Sequence, residues 1–315
     1  MKNPAPISQK CLLIIGAVHV DDIARPDTEL VPKASNPVTW TRYIGGVAAN
    51  AACSAARTLN KPDQLSVEFL AAVGDDATAQ QLVQSLGKLN IHTRFKQFDN
   101  TNTGRYSAVM NHDGELYIGL SDVSLAERLN ESMITELSDW TGVAAVVLDA
   151  NLSQPCLNDL AKKAAEHKIP VAAMSVSPVK TQRLLALAQQ IDLLICNRRE
   201  AVAMLEKECV STDLDIMAEG LIKLGFSQIV LTDGHEPILI KQGTKATRIS
   251  VDHVDCTHHV NGAGDALAGA TFAAWASGLS LIDAVAKFGI AASAEIVTGR
   301  YTPPLLDNPE GVNQV

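Results

Sequence analysis

The chain has 315 residues, of which 47% are hydrophobic and 19% charged, and its formal net charge is −9. This composition is typical of a globular protein with a sizeable core. The negative charge disfavours nucleic acid and anionic membranes as partners, because binding to either requires a basic surface. No apolar run reaches the length of a membrane span, and residues 1–10 lack the apolar region of a signal peptide. We therefore expect a cytoplasmic protein.

The cysteines are scattered along the chain, without the paired spacing of a structural zinc site. They are Cys11, Cys53, Cys156, Cys196, Cys209 and Cys256. Most lie in apolar surroundings, which predicts buried, reduced thiols.

The first part of the chain combines a buried strand with polar residues at its end. Residues 11–16 form a continuous apolar run, which predicts a parallel strand. Asp21 follows this strand, where open α/β sheets place ligands, and is a candidate to bind a sugar hydroxyl. The alternative is an acid of a solvated loop. Gly45 and Gly46 open a helix rich in small residues, and a buried Asn50 in it must bond to backbone or ligand.

Two segments interrupt the alternation of strands and helices. Residues 92–122 contain alternating stretches around the turn at 111–114, which predicts an antiparallel hairpin. Residues 24–44 are polar and contain Pro, with one β-like stretch. Together these segments predict a small sheet that covers the strand ends as a lid.

After residue 125 strands and helices alternate regularly, which predicts an α/β fold with a doubly wound, mainly parallel sheet flanked by helices. The predicted boundaries are as follows: an α/β core at 8–23, 45–91 and 123–307, a β lid at 24–44 and 92–122, and termini at 1–7 and 308–315.

A glycine-rich turn, Gly262-Ala263-Gly264-Asp265, precedes an alanine-rich helix. The first N–H groups of a helix have no partner within it, and the helix dipole favours an anion there. Asp265 lies beside this anion site, where it can accept a proton from an attacking hydroxyl. The alternative is an ordinary turn with an acid near a helix start. The chain contains no Gly-Lys-Ser or Gly-Lys-Thr sequence, so it is not a P-loop protein.

Other predicted strands also end in polar groups, at Asn197, Glu200, Thr232 and Gly234. In a doubly wound sheet these ends converge on one cleft. With these landmarks in order, the whole chain resembles the ribokinase family of PfkB-type sugar and nucleoside kinases. The motifs that carry the resemblance are Gly45-Gly46 with Asn50, Asn197 with Glu200, and Gly262 to Asp265.

The resemblance implies an ATP-dependent kinase that acts on a hydroxymethyl group. Asp265 would be the general base, and the N–H groups of Gly262, Ala263 and Gly264 would hold the transferred phosphoryl group. Glu200 would be the metal-associated residue, for Mg²⁺. The resemblance also allows a dependence on K⁺ and implies a homodimer. The remaining positions are Asp21, Gly45, Gly46 and Asn50 for the substrate, and Asn197, Glu200, Thr232, Gly234 and Asn261 for the nucleotide.

Within the family, the middle of the chain is similar to pseudouridine kinases, in residues 103–109, 113–116, 147–152 and 176–180. In that interpretation Thr103 and Tyr106 face the base, although cross-strand packing explains Tyr106 equally well. Pseudouridine is therefore the expected acceptor of the phosphoryl group.

Two alternatives stay open. One is a kinase of another nucleoside or a free sugar, such as adenosine, cytidine or ribose. The other is a weakly active metabolite-binding protein. The second is favoured by three departures from the family pattern, at Ser175, His259 and Asn261.

Overall fold

A computed structural model describes residues 10–60, 65–138, 140–205, 213–252 and 262–302, together with residues 304 and 306. The predictions for His259 and Asn261, and for two of the cysteines, therefore lie outside the described residues. In these ranges the strands are β1 Cys11–Ile15, β2 His19–Pro26, β3 Val38–Gly45, β4 Ser66–Gly74, β5 Ile91–Phe98, β6 Arg105–Met110, β7 Leu116–Asp122, β8 Val143–Asp149, β9 Val171–Met174, β10 Leu193–Asn197, β11 Gln228–Thr232, β12 Ile238–Gln242 and β13 Lys245–Ile249.

The helices of the described chain alternate with these strands. They are α1 Val47–Thr58, α2 Ala77–Gly87, α3 Glu131–Leu137, α4 Gln154–His167, α5 Arg198–Leu205, α6 Leu214–Lys223, α7 Ala263–Ala276, α8 Leu281–Ala284 and α9 Ile290–Val297. Two 3₁₀ segments occupy Ser124–Arg128 and Lys180–Gln190, and a short π-helical segment, Val285–Gly289, joins α8 to α9.

The large sheet has nine strands in the order β13-β12-β11-β10-β9-β8-β1-β4-β5. All neighbours from β11 to β5 are parallel, and only β12 and β13 are antiparallel. One apolar layer, with α1, α2 and α7, covers one face, and a second, with α4 to α6, covers the other. The central strands are therefore buried on both sides, which is why they are apolar throughout. The predicted doubly wound α/β class is confirmed.

The small sheet has four strands in the order β3-β2-β6-β7. It contains the predicted hairpin, since β6 and β7 pair antiparallel, and β2 pairs antiparallel with β3. Two boundaries differ from the sequence prediction. Residues 91–98 form β5 at the edge of the large sheet, where one-sided burial produces an alternation that resembles a lid strand. The chain also enters the small sheet at His19, so that Asp21 lies on β2.

Helices α1 and α7 pack closely because small residues line their contact. A Cβ atom added to Gly269 would lie 2.1 Å from the carbonyl oxygen of Ala51. The Ser54 hydroxyl donates a hydrogen bond of 2.7 Å to the carbonyl of Ala266. This contact fixes the amino-terminal ends of both helices relative to each other, and those ends carry Asn50 and Asp265.

Near the carboxyl terminus, residues 304 and 306 are bonded to β3. The Ile44 N–H donates to the Pro304 carbonyl over 3.1 Å, and the Leu306 N–H donates to the Arg42 carbonyl over 3.1 Å. Leu306 is also buried. Residues 304 and 306 therefore bond to the free edge of β3.

The four described cysteines, Cys11, Cys53, Cys156 and Cys196, are buried thiols. Burial raises the pKa of the Cys53 and Cys156 thiols to about 12, so both are protonated and unreactive. Among the described helices, none combines the length and the apolar character needed to cross a membrane.

Candidate active site

A cleft of about 480 Å³ lies between the small sheet and the carboxyl ends of the parallel strands. The small sheet contributes His19, Asp21 and Tyr106 to its wall. The opposite wall comes from strand ends and helix starts. Ten residues predicted from the sequence line this cleft: Asp21, Gly46, Asn50, Tyr106, Asn197, Glu200, Thr232, Gly262, Gly264 and Asp265.

The order of the parallel strands explains this convergence. Asn197 and Thr232 are paired neighbours at the ends of β10 and β11. Met174, at the end of β9, pairs with Ile195 on β10. Parallel strands end at the same edge of a sheet, so residues far apart in the chain meet there.

Asp265 lies in the first turn of α7 and faces the floor of the cleft. Its Oδ2 atom accepts a hydrogen bond of 2.9 Å from the Nδ2 of Asn50. Desolvation raises the pKa of Asp265 to about 6, and the negative charges of Asp149, Glu200 and Asp21 act in the same direction. The Asn50 hydrogen bond opposes this rise. A carboxylate with a pKa close to neutral is suited to accept a proton.

The turn that begins α7 has the geometry of an anion site. Gly262 is the N-cap residue in the left-handed region, with φ of 84°, and no side chain caps the helix. No atom lies within 4 Å of a Cβ placed on Gly264, so its backbone faces open space. The first-turn N–H groups, which begin at Ala263, have no partner within the helix and lie at the positive end of its dipole, beside the cleft that Gly262 and Gly264 line. An anion bound there would lie beside Asp265.

At the start of α5, the side chains of Asn197 and Glu200 each accept a hydrogen bond from the backbone N–H of the other residue. The Asn197 N–H donates to Glu200 Oε2 over 2.9 Å, and the Glu200 N–H donates to Asn197 Oδ1 over 3.1 Å. This reciprocal capping fixes a buried carboxylate at the cleft wall. The Ser175 hydroxyl also donates to Glu200 Oε2. Ser175, one of the departures from the family pattern, is thus bonded to the carboxylate of this wall.

The residues at this wall fit Mg²⁺ bound together with nucleotide phosphates. Within the described ranges, no three His, Cys, Asp or Glu side chains are grouped so as to enclose a metal ion. Mg²⁺ in phosphate-transfer sites retains waters and takes only one or two protein carboxylates. Glu200 is a carboxylate of this kind, since it is buried and lines the cleft.

The small-sheet wall carries a buried polar atom without a partner. His19 Nε2 lies 3.1 Å from Asp21 Oδ1, and the other ring nitrogen, His19 Nδ1, is buried without a hydrogen bond. Gly45 makes room for this carboxylate, because a Cβ there would lie 2.3 Å from Asp21 Oδ1. Gly46 has φ of 104°, and a Cβ there would lie 2.5 Å from the carbonyl oxygen of Ala17. Buried unpaired polar groups are costly, so this wall is prepared for a polar ligand.

Thr103 lies apart from the cleft wall, although the sequence placed it against a base. Its hydroxyl donates to Asp76 Oδ1 over 2.6 Å and accepts from the Gly74 N–H over 3.1 Å. The Thr103 hydroxyl is therefore already hydrogen-bonded, and its bonds join β4 to the start of β6. Tyr106 faces the cleft and also packs on Gly119, so both interpretations of this residue apply.

Of the residues predicted to lie near a nucleotide, Thr232 reaches the cleft, whereas Gly234 lies in the turn beyond it, with φ of 59°. Arg198 holds this turn to α5, since its Nε donates to Asp233 Oδ2 over 2.6 Å.

Neither the presence of His19 in the cleft nor the hydrogen bond of Ser175 was predicted from the sequence. His19 had a detectable signal: it lies two residues before Asp21, and residues at this spacing in a strand share a face. The bond from Ser175 to Glu200 joins β9 to α5 and has no sequence signature.

Chemically, the cleft combines a carboxylate with a raised pKa, an uncapped helix start that can bind an anion, and two polar walls. Asp265 and the α7 turn lie at one point, so that a hydroxyl and a phosphate could meet there. This arrangement suits phosphoryl transfer, which depends on positioning and on charge stabilisation.

Comparison with known proteins agrees with this chemistry. Residues 9–307 match the model of the pfkB family carbohydrate kinases. A carbohydrate kinase from Agrobacterium tumefaciens has a similar structure, with a TM-score of 0.80 and 29% identity, over 92% of this chain and 91% of that one.

Two curated relatives are nucleoside kinases. A pseudouridine kinase of Arabidopsis thaliana is 28% identical over 62% of this chain, and the match spans 51% of its own length, or about half. An adenosine kinase of Schizosaccharomyces pombe is 25% identical over 77% of this chain and 76% of its own. The family match covers nearly the whole chain, and the cleft has the arrangement that phosphoryl transfer requires. The chain therefore belongs to the pfkB family of carbohydrate kinases.

Proposed function

We propose that the protein is an ATP-dependent kinase that phosphorylates the 5′-hydroxyl of a nucleoside, with pseudouridine as the preferred acceptor. The observation that carries this proposal is the position of Asp265. It lies beside the anion-binding turn and is bonded to Asn50 over 2.9 Å. One side chain can thus take the proton while the adjacent backbone stabilises the phosphoryl group.

In the proposed reaction Asp265 accepts the proton of the acceptor hydroxyl as its oxygen attacks the γ-phosphorus of ATP. ADP leaves, and the phosphoryl group is transferred to the acceptor. Asn50 orients the Asp265 carboxylate. The N–H groups at the start of α7 stabilise the charge on the phosphoryl oxygens.

The nucleotide would lie along the wall formed by Asn197, Glu200 and Thr232. Mg²⁺, when bound with it, would neutralise phosphate charge. Glu200 is the residue placed to hold the ion or its waters. Asn197 fixes the Glu200 carboxylate through the reciprocal cap.

Similarity to the Arabidopsis pseudouridine kinase supports pseudouridine as the acceptor. The polar wall is consistent with this choice. The base of pseudouridine has one more N–H donor than that of uridine, and His19 has a buried ring nitrogen without a hydrogen bond. The similarity to an adenosine kinase supports adenosine as the second candidate.

An acceptor panel tests the proposal. The purified protein would be incubated with ATP and Mg²⁺ and each of pseudouridine, uridine, cytidine, adenosine and ribose, with products identified by mass and ³¹P NMR. We expect a 5′-monophosphate, formed fastest from pseudouridine. Faster turnover of another acceptor would refute the preference but keep the reaction. Binding of a nucleoside without transfer would refute the kinase and favour a metabolite-binding protein.

We expect His19 to contribute to acceptor binding, because its buried Nδ1 atom has no partner and its ring lines the cleft. His19→Ala should raise the acceptor KM by about tenfold, the cost of a lost hydrogen bond, and leave the ATP KM unchanged. His112→Ala, in the exposed turn between β6 and β7, is the control. An unchanged acceptor KM would exclude His19 from acceptor binding.

We also propose that two copies associate through the outer face of the small sheet. Trp40, Ala24, Val109 and Ile118 lie side by side across its four strands. Trp40 is 55% exposed and Ile118 46% exposed, and an apolar groove of about 490 Å³ adjoins them. Exposed apolar patches of this kind mark protein interfaces.

Light scattering would test this association. We expect a dimer for the wild-type chain and a monomer for Trp40→Glu, because the charge would be buried at the interface. Val179→Glu, on the 83% exposed Val179, is the control and should stay dimeric. A monomeric wild type would contradict the proposal.

A further inference from the structure

Asp149 is a fully buried carboxylate at the end of β8. Its Oδ2 accepts hydrogen bonds from the Ala17 N–H over 3.0 Å and from Asn151 Nδ2 over 3.1 Å. Its Oδ1 accepts from the Asn151 N–H over 2.9 Å. The backbone of Ala48 donates a further bond. All of these partners are donors, which suits a carboxylate that accepts in every direction.

Two of these donors belong to the elements that carry the acceptor wall. Ala17 lies in the turn that leads into β2, two residues before His19. Ala48 lies in the first turn of α1, which also carries Asn50, and the N-cap residue Gly46 offers no side chain to it. Asp149, at the end of β8, thus accepts a hydrogen bond from a first-turn N–H group of α1, as the side chain of an N-cap residue would. Gly46 has no side chain that could do so.

The surrounding backbone is shaped to this carboxylate. A Cβ added to Gly16 would lie 2.3 Å from Asp149 Cγ and 2.7 Å from the Cβ of Ala48. The turn after β1, the start of α1 and the end of β8 therefore meet at one point. A small displacement of Asp149 would move both acceptor-wall elements.

Further hydrogen bonds hold Asn151, which itself donates to Asp149. Asn151 Oδ1 accepts from Lys180 Nζ over 2.9 Å, and Lys180 lies 3.7 Å from Glu127. Arg183 donates to the carbonyls of residues 150 to 152 and to Glu127 Oε1, the latter over 2.9 Å. The stretches 147–152 and 176–180, which resemble those of pseudouridine kinases, therefore form one hydrogen-bonded unit together with Arg183.

We propose that this unit, with Asp149 at its centre and Lys180 at its outer end, positions the acceptor-binding wall through Ala17 and Ala48. Asp149, Asn151 and Lys180 do not line the cleft, so they act on the acceptor through other residues. This inference rests on the proposed function, since it assigns these residues to the acceptor half of that reaction.

The test compares Asp149→Asn and Lys180→Met with the wild type. The first substitution would place an N–H₂ group against N–H donors, so the acceptor kcat/KM should fall by about 30-fold or more. Lys180→Met keeps the volume and removes one bond, and we expect roughly a three- to fivefold rise in acceptor KM. The ATP KM should stay within about twofold in both. Lys162→Met, on an exposed lysine of α4, is the control and should match the wild type.

A variant that loses thermal stability but keeps the wild-type acceptor KM and kcat would show a merely structural role and overturn the proposal. An equal rise in both KM values would also overturn it. If Asp149→Asn does not fold, the acceptor KM of Lys180→Met alone tests the proposal. Calorimetry of nucleoside binding would compare the variants with the wild type without requiring turnover. A wild type that binds but does not phosphorylate would therefore refute the proposed reaction alone, and one that binds none of the acceptors would refute both.

Discussion

Asp265→Asn is expected to lower kcat by about 10² to 10⁴, the usual contribution of a positioned general base. Asparagine keeps the shape of the side chain but cannot accept the hydroxyl proton. Because the pKa of Asp265 is about 6, the wild-type kcat/KM should be highest above pH 6 and fall as the pH drops below it. Initial rates at saturating ATP, with the acceptor varied, would measure both effects.

Asp113→Asn, in the exposed turn between β6 and β7, is the matched control and should behave as the wild type does. If Asp265→Asn turned over at the wild-type rate, a proton acceptor other than Asp265 would have to serve the reaction. A wild-type rate that did not change between about pH 5 and pH 8 would lead to the same conclusion, because a general base must lose its proton to act.

The same substitution should stabilise the protein at alkaline pH. Asp265 has an ordinary pKa of 3.8 when unfolded and about 6 when folded, so the folded state holds the proton more tightly. Its contribution to stability is present below about pH 4 and is lost as the pH rises through about 6. The loss corresponds to about 3 kcal/mol at most, from about 1.36 kcal/mol for each pKa unit. Asparagine is neutral at every pH, so the variant does not undergo this loss of stability.

Denaturant unfolding at about pH 4 and pH 8 would measure this difference. We expect Asp265→Asn to equal the wild type at the acidic pH and to exceed it at the alkaline one. A variant less stable than the wild type at the alkaline pH would show that the carboxylate is well solvated or paired in the folded state. Together with the kinetics, the result separates lost chemistry from lost folding.

The parts of the site that the sequence predicted are those with local signatures. Gly262 to Asp265 stand before an apolar helix, and Asn50 is the polar residue in the early turns of another. Both helices start at the carboxyl edge of the sheet, so the topology alone brings them together. The bond between Asn50 and Asp265 follows from that placement.

The parts that the sequence did not predict depend on long-range contacts. Thr103 is held by Asp76, which is distant in sequence, so its motif gave no sign that the hydroxyl was already bonded. The edge strand β5 alternates because it is covered on one side only, and alternation by itself cannot separate an edge strand from a lid strand. Asp149 bonds to Ala17 across 132 positions, and no local pattern marks such a pair.

The most direct test of the account is transfer of labelled phosphate from γ-³²P-ATP to pseudouridine by the wild type and by Asp265→Asn. We expect label on the 5′-oxygen with the wild type, and little or none with the variant. Label released only as inorganic phosphate, or equal transfer by both proteins, would contradict it.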